Sequence, residues 1–157
     1  MRRLDFLKRL HKEAALQLVA PSDEMKSAYL KKAESNLISA RLLLDNDLFE
    51  QSVSMAYYSM YYSVLALFFA TGIKCENHTV ASWFLADVFG IESTDLESAR
   101  KERLDKEYYV LAAPVRPEVE ARIKTAESFN AVLLDKIERL TQQEIENYRI
   151  RFEKLLE

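Results

Sequence analysis

Residues 51–73 read QSVSMAYYSMYYSVLALFFATGI, 23 consecutive positions without a charged side chain. The run is long enough to span a bilayer by the criterion of about 20 apolar residues. Its content argues against spanning. Ser52, Ser54, Ser59 and Ser63 dilute it, and Tyr57, Tyr58, Tyr61 and Tyr62 fall in its middle, whereas membrane aromatics gather at the two interfaces. The run therefore predicts a helix that is apolar on nearly all faces, buried at the centre of a bundle or in a subunit interface. On a helical wheel Ser52, Ala56, Ser59, Ser63 and Ala70 form a strip of small residues, which permits close approach of another helix or of a symmetry mate. The tyrosines take the remaining faces. Tyr58 and Tyr62, one turn apart, either pack or present rings and hydroxyls to a ligand groove, since bases stack on such rings.

The rest of the chain is helical for a compositional reason. Among 157 residues there are two Gly and three Pro, too few for the positive-φ turns that a β protein needs. With 49% hydrophobic and 30% charged residues, low-complexity disorder and collagen-like structure are excluded. The length predicts a single domain over 1–157. Cys75 stands alone, so it forms neither an intramolecular disulfide nor a cysteine-based zinc site, and a reduced, cytoplasmic setting is expected. Met1–Leu10 carries Arg2, Arg3, Lys8 and Arg9 without a following apolar stretch of signal-peptide length, and reads as mature sequence.

Breakers and caps divide the chain. A first helix is expected over Arg3–Val19, stopped by Pro21, and a second over Asp23–Leu44, capped by Ser22 or Asp23 and followed by the turn Asp45-Asn46-Asp47. The third covers Leu48–Thr71 and ends on Gly72. After a loop over Ile73–Asn77, Asn77 caps a short helix to Phe89, closed by Gly90. Ser93 or Thr94 caps another from Asp95 to Ala112. Pro117 opens the last helix, which continues to Leu156 with a kink near Thr141 and Gln142. Connections this short make an all-α, antiparallel up-and-down bundle: a four-helix core plus additional helices.

Several chemistries are excluded. His11 and His78 are the two histidines and neither has Glu three residues before it, so a di-metal bundle site is not expected. Gly72 and Gly90 cannot make a phosphate-cradling glycine loop. Cys75 and His78 share a loop without a third group to orient them, which weakens any thiol nucleophile. The formal net charge is −3; Asn46–Ala99 holds seven acids against Lys74, while Arg100–Lys106 is locally basic. There Arg103 and Glu107 are i and i+4. They either form an ordinary intrahelical ion pair or place Arg103 to grip a phosphate in a fork, oriented by Glu107. His78, at a helix start near Lys74, is either a structural cap residue or part of an anion site.

The string Ala56-Tyr57-Tyr58-Ser59-Met60-Tyr61-Tyr62, then Gly72, Lys74 and His78, and later Arg103 with Glu107-Tyr108, resembles the HEPN family (higher eukaryotes and prokaryotes nucleotide-binding). It is most similar to the prokaryotic branch with an Ala-Tyr-Tyr helix and a later Arg-x-x-x-Asp-Tyr. The resemblance covers about 26–140, leaving 1–20 and 141–157 as helical additions. It implies a homodimeric helical bundle, nucleotide or RNA association, and a minimal nucleotidyltransferase partner in a two-component, toxin–antitoxin-like system. Tyr57, Tyr58 and Tyr61 match the aromatic helix, Lys74 and His78 the loop-to-helix entry, and Arg103, Glu107 and Tyr108 the later motif, with Glu in place of Asp.

Many members of that family are ribonucleases with an Arg-x4-6-His motif. This chain departs there: seven residues separate Arg3 from His11, and the nearest Arg before His78 is Arg41. Positions equivalent to Met55 and Tyr62 are often Arg and His in the similar branch. The expectation is thus a nucleotide-binding module without catalytic residues of its own and without a metal. ATP or another nucleotide is the ligand, and Tyr58, Tyr62, Lys74, His78, Arg103, Glu107 and Tyr108 are the binding candidates. RNA is the weaker partner, because the acidic middle opposes broad phosphate contact, and no membrane is involved. The alternatives are a ribonuclease toxin whose atypical site joins Arg103, His78 and Tyr108, and a structural helical adaptor.

Overall fold

The computed structural model describes the backbone of residues 2–108 and 113–157, and the side chains of these residues other than 105–108. In chain order the elements are α1 (Arg3–Lys12), β1 (Leu16–Leu18), α2 (Asp23–Asp45), α3 (Phe49–Thr71), β2 (Ile73–Cys75), α4 (His78–Asp87), α5 (Thr94–Tyr108), α6 (Arg116–Glu138) and α7 (Gln142–Lys154). The fold is an all-α bundle centred on α3, which packs most extensively on α2 and then on α6 and α5. Among the described residues, α3 is the one helix long and apolar enough to cross a membrane, and 72% of its apolar window is buried inside the fold.

Its small-residue strip explains the close α2–α3 contact. Ser52 Oγ donates to the Ala40 carbonyl at 2.7 Å and Ser59 Oγ to the Ala33 carbonyl at 2.6 Å. From α6, Asn130 accepts from Ser63 at 2.9 Å and donates to Ser59 at 2.8 Å. A larger side chain would hold the helices apart and leave these buried groups without partners. The strip is thus covered by helices of the same chain.

The expected punctuation is present at most boundaries. Ser22 accepts from the Met25 N–H, Asn77 accepts from the Val80 N–H, and Gly72 ends α3 at φ 75°. Asp47, in the turn after α2, adopts φ 58°.

Several boundaries differ from expectation. The first helix stops at Lys12 rather than Val19. The chain reverses at Ala14 (φ 59°), and Leu16–Leu18 pairs antiparallel with Ile73–Cys75, so part of the expected 73–77 loop is a strand. Leu16 and Ile73 are fully buried there, and this distant partner outweighs the local helical spacing. The expected kink near Thr141 is a complete break: α6 ends at Glu138 and Thr141 caps α7 by accepting from the Glu144 N–H. The fourth helix ends at Asp87, two residues early. For the fifth, the expected stretch 109–112 lies outside the described residues.

The terminal elements cover one side of the bundle. From α7, Phe152 packs edge-on to Phe84 and Tyr148 lies 4.7 Å from Phe89. Arg149 Nη1 donates to the carbonyls of Val19, Thr71 and Gly72 at 2.8, 3.1 and 2.9 Å, tying α7 to the end of α3 and the exit of β1. From α1, Leu7 and Leu10 enter the core.

Candidate functional site

Helical periodicity builds the walls of a cleft. On α4, His78, Thr79, Ser82 and Trp83 stand at i, i+1, i+4 and i+5; on α5, Leu96, Glu97, Arg100, Lys101 and Leu104 repeat the spacing. Each set shares one helical face. Facing one another, with Tyr57 of α3, they line a cleft of about 390 Å³. Two bridges join the walls: Arg100 Nη1 donates to Thr79 Oγ1 at 2.7 Å, and Ser82 Oγ donates to Glu97 Oε1 at 2.9 Å.

Behind the cleft lies an aromatic and cationic cluster. The Tyr57 hydroxyl and His78 Nδ1 share a 2.5 Å hydrogen bond, and the Tyr61 ring stacks on the imidazole with centroids 3.9 Å apart. Arg103 Nη1 donates to the Tyr58 hydroxyl at 2.8 Å, and its guanidinium lies 5.4 Å from the Tyr57 ring centre and 5.1 Å from that of Tyr58. Burial and the positive charges of Arg100 and Arg103 push His78 down to about 4, so the ring is neutral at pH 7. Burial raises Tyr57 to about 12, more than the two arginines lower it. The Cys75 thiol, likewise buried, is raised to about 11 and donates to the Asn77 carbonyl, a setting opposite to that of a reactive thiolate.

Of the residues singled out from sequence, the fold gathers Tyr58, His78 and Arg103 around Tyr57. Tyr62 continues the same row: it stacks on Tyr58 at 6.2 Å and on Tyr29 at 5.8 Å, with Lys32 Nζ over its ring at 5.1 Å. Lys74 is engaged elsewhere, donating to the Ala14 carbonyl and pairing with Glu76 at 2.9 Å. The side chains of Glu107 and Tyr108 lie outside the described residues. Thr79, Ser82 and Trp83 were missed; their spacing from His78 was the available signal. Among the described residues no cluster of His, Cys, Asp and Glu is suited to a metal ion.

An antiparallel helical bundle carrying a cleft of arginines, tyrosines and one histidine defines the class. The family model of the HEPN domain matches residues 27–137, and the chain belongs to that family. A protein of Gloeobacter violaceus, UPF0332 protein glr0978, is 38% identical over 50 residues, spanning 32% of this chain and 40% of that relative's length. A protein of Methanocaldococcus jannaschii named "Putative toxin MJ0605" is 27% identical over 112 residues, 65% of this chain and 81% of the relative. The matched region takes in α3, α4 and α5 entirely; α1, β1 and α7 lie outside it.

Proposed function

We propose that the protein is a nucleotide-binding HEPN module whose ligand enters the cleft between α4 and α5, with its phosphates toward Arg100 and Lys101. The observation that carries this reading is that Arg100 and Lys101 line one aromatic-walled cleft at the start of α4, with Arg103 behind it against Tyr57 and Tyr58. The Arg100 guanidinium offers donors to phosphate oxygens beside the Lys101 ammonium, and the neutral His78 adds a donor or acceptor without a charge of its own. The aromatic content suits a base, which binds by its ring face. Tyr58, Tyr62, Arg103, Glu107 and Tyr108 complete the proposed set of binding residues, the last two through the motif they share with the family, while Lys74, held by the Ala14 carbonyl and Glu76, is left out of it.

Within this reading the module works as a homodimer beside a minimal nucleotidyltransferase in a toxin–antitoxin-like pair. The support is family membership and the toxin name of one relative. A ribonuclease activity of its own is the second reading, favoured by that same name. Against it stands the depressed basicity of His78, which leaves a weak base at neutral pH.

Calorimetric titration with ATP tests the first reading. Saturable binding to the wild type, weakened about tenfold or more in Arg100→Ala, is the expected result, since contacts from a guanidinium to phosphate are among the stronger hydrogen bonds. An absence of heat with ATP in the wild type overturns it. Incubating RNA with the same preparation tests the second: cleavage lost in His78→Ala supports it, and intact RNA rejects it.

A further inference from the structure

We infer that Trp83, held in place by α1, is the base-recognition surface of the cleft, so that the terminal addition outside the family match sets which ligands the site prefers. The inference rests on the nucleotide reading and goes on to the part of the ligand that Arg100 and Lys101 do not address.

Three observations carry it. Trp83 is half-buried and lines the cleft, on the same helical face as His78 and Thr79. Its large ring offers more stacking area than any other residue there. Its position is fixed by α1: Phe6 packs against it in a T-shaped arrangement at 6.2 Å and 79°, and the Arg3 guanidinium lies 4.5 Å from the ring centre while pairing with Asp87, one turn further along α4. Arg9 in turn lies over Phe6 at 5.2 Å. A ring immobilised before the ligand arrives loses little freedom on binding, which favours stacking. The cleft is then divided by chemistry, with cations at Arg100 and Lys101 for phosphate and an indole at Trp83 for an aromatic base.

Trp83 is the single tryptophan of the chain, so its fluorescence reports on this wall alone. The experiment compares ATP with inorganic tripolyphosphate, which carries the charge and lacks the base, using fluorescence for the wild type and calorimetry for every variant. ATP is expected to bind more tightly than tripolyphosphate and to change Trp83 emission. Trp83→Leu is expected to weaken ATP about tenfold, the scale of one lost base–aromatic stack, and to leave tripolyphosphate unchanged. Trp83→Phe, which keeps a ring and guards against misfolding, restores most of the difference. Phe6→Ala weakens ATP alone and by less. If ATP binds the wild type and Trp83→Leu binds it equally well, or loses ATP and tripolyphosphate alike, the inference is overturned while nucleotide binding stands. If ATP fails to bind the wild type, both fall.

Discussion

Tyr57 and His78, 21 residues apart on α3 and α4, share a 2.5 Å hydrogen bond that locks the start of α4 against the central helix. Because burial and two arginines hold His78 near 4, against 6.5 for a free imidazole, the unfolded chain takes up a proton between these values that the fold refuses. Stability from this group is complete above about pH 6.5 and declines as the pH falls toward 4. The loss is roughly 1–2 kcal/mol after discounting the full shift for the ring's partial exposure. Denaturant titrations from pH 7.5 to 4 are expected to show this slope in the wild type and a flatter one in His78→Gln, which can still pair with Tyr57. Equal slopes would refute the assignment.

A bound phosphate would reverse the electrostatics. Its negative charge offsets Arg100 and Arg103, so the His78 midpoint followed by NMR is expected to rise when a saturating polyphosphate is present. An unmoved midpoint despite binding would locate the anion away from this cleft.

Gly72 and Gly90 make a paired test, since both have positive φ. A Cβ on Gly72 would collide with the Arg149 side chain and the Val19 carbonyl, whereas one on Gly90 meets open space. Gly72→Ala is expected to cost about 2–4 kcal/mol, combining backbone strain with displaced hydrogen bonds, and Gly90→Ala about 1 kcal/mol. Comparable losses in urea unfolding would contradict this account.

Ser59 is fully buried, donating to the Ala33 carbonyl and accepting from Asn130. Ser59→Ala should lose about 1–3 kcal/mol, and Ser59→Leu more, because it also wedges α2 from α3. A double-mutant cycle with Asn130→Ala should report coupling of about 0.5 kcal/mol or more.

Although α7 lies outside the family match, Phe152 is 1% exposed and packs on Phe84. Phe152→Ala is expected to destabilise the whole domain by about 3–5 kcal/mol in a single transition. A separate early transition confined to α7 would mean that the helix is an independent appendage.

The helices were legible wherever apolar spacing and a cap agreed, as at Ser22, Asn77 and Gly72. The short strands were not. Nothing local to Leu16–Leu18 announces pairing with residues more than 50 positions away, and its apolar spacing continues that of the helix before it. His78 and Arg103 were singled out from sequence and meet around Tyr57. Trp83 stands five residues after His78, a spacing that puts both on one helical face, but the local sequence does not say which helix closes that face into a cleft.

The three carbonyls held by Arg149 impose an order on how the molecule is made. Val19, Thr71 and Gly72 are synthesised long before α7, so the seam between β1 and α3 emerges from the ribosome without its clasp. The α2–α3 hairpin, built from near neighbours, can form while synthesis continues. Closure of the seam waits for α7, and a chain interrupted before that helix keeps the β1–β2 pairing but lacks the side chain that clasps it to the end of α3.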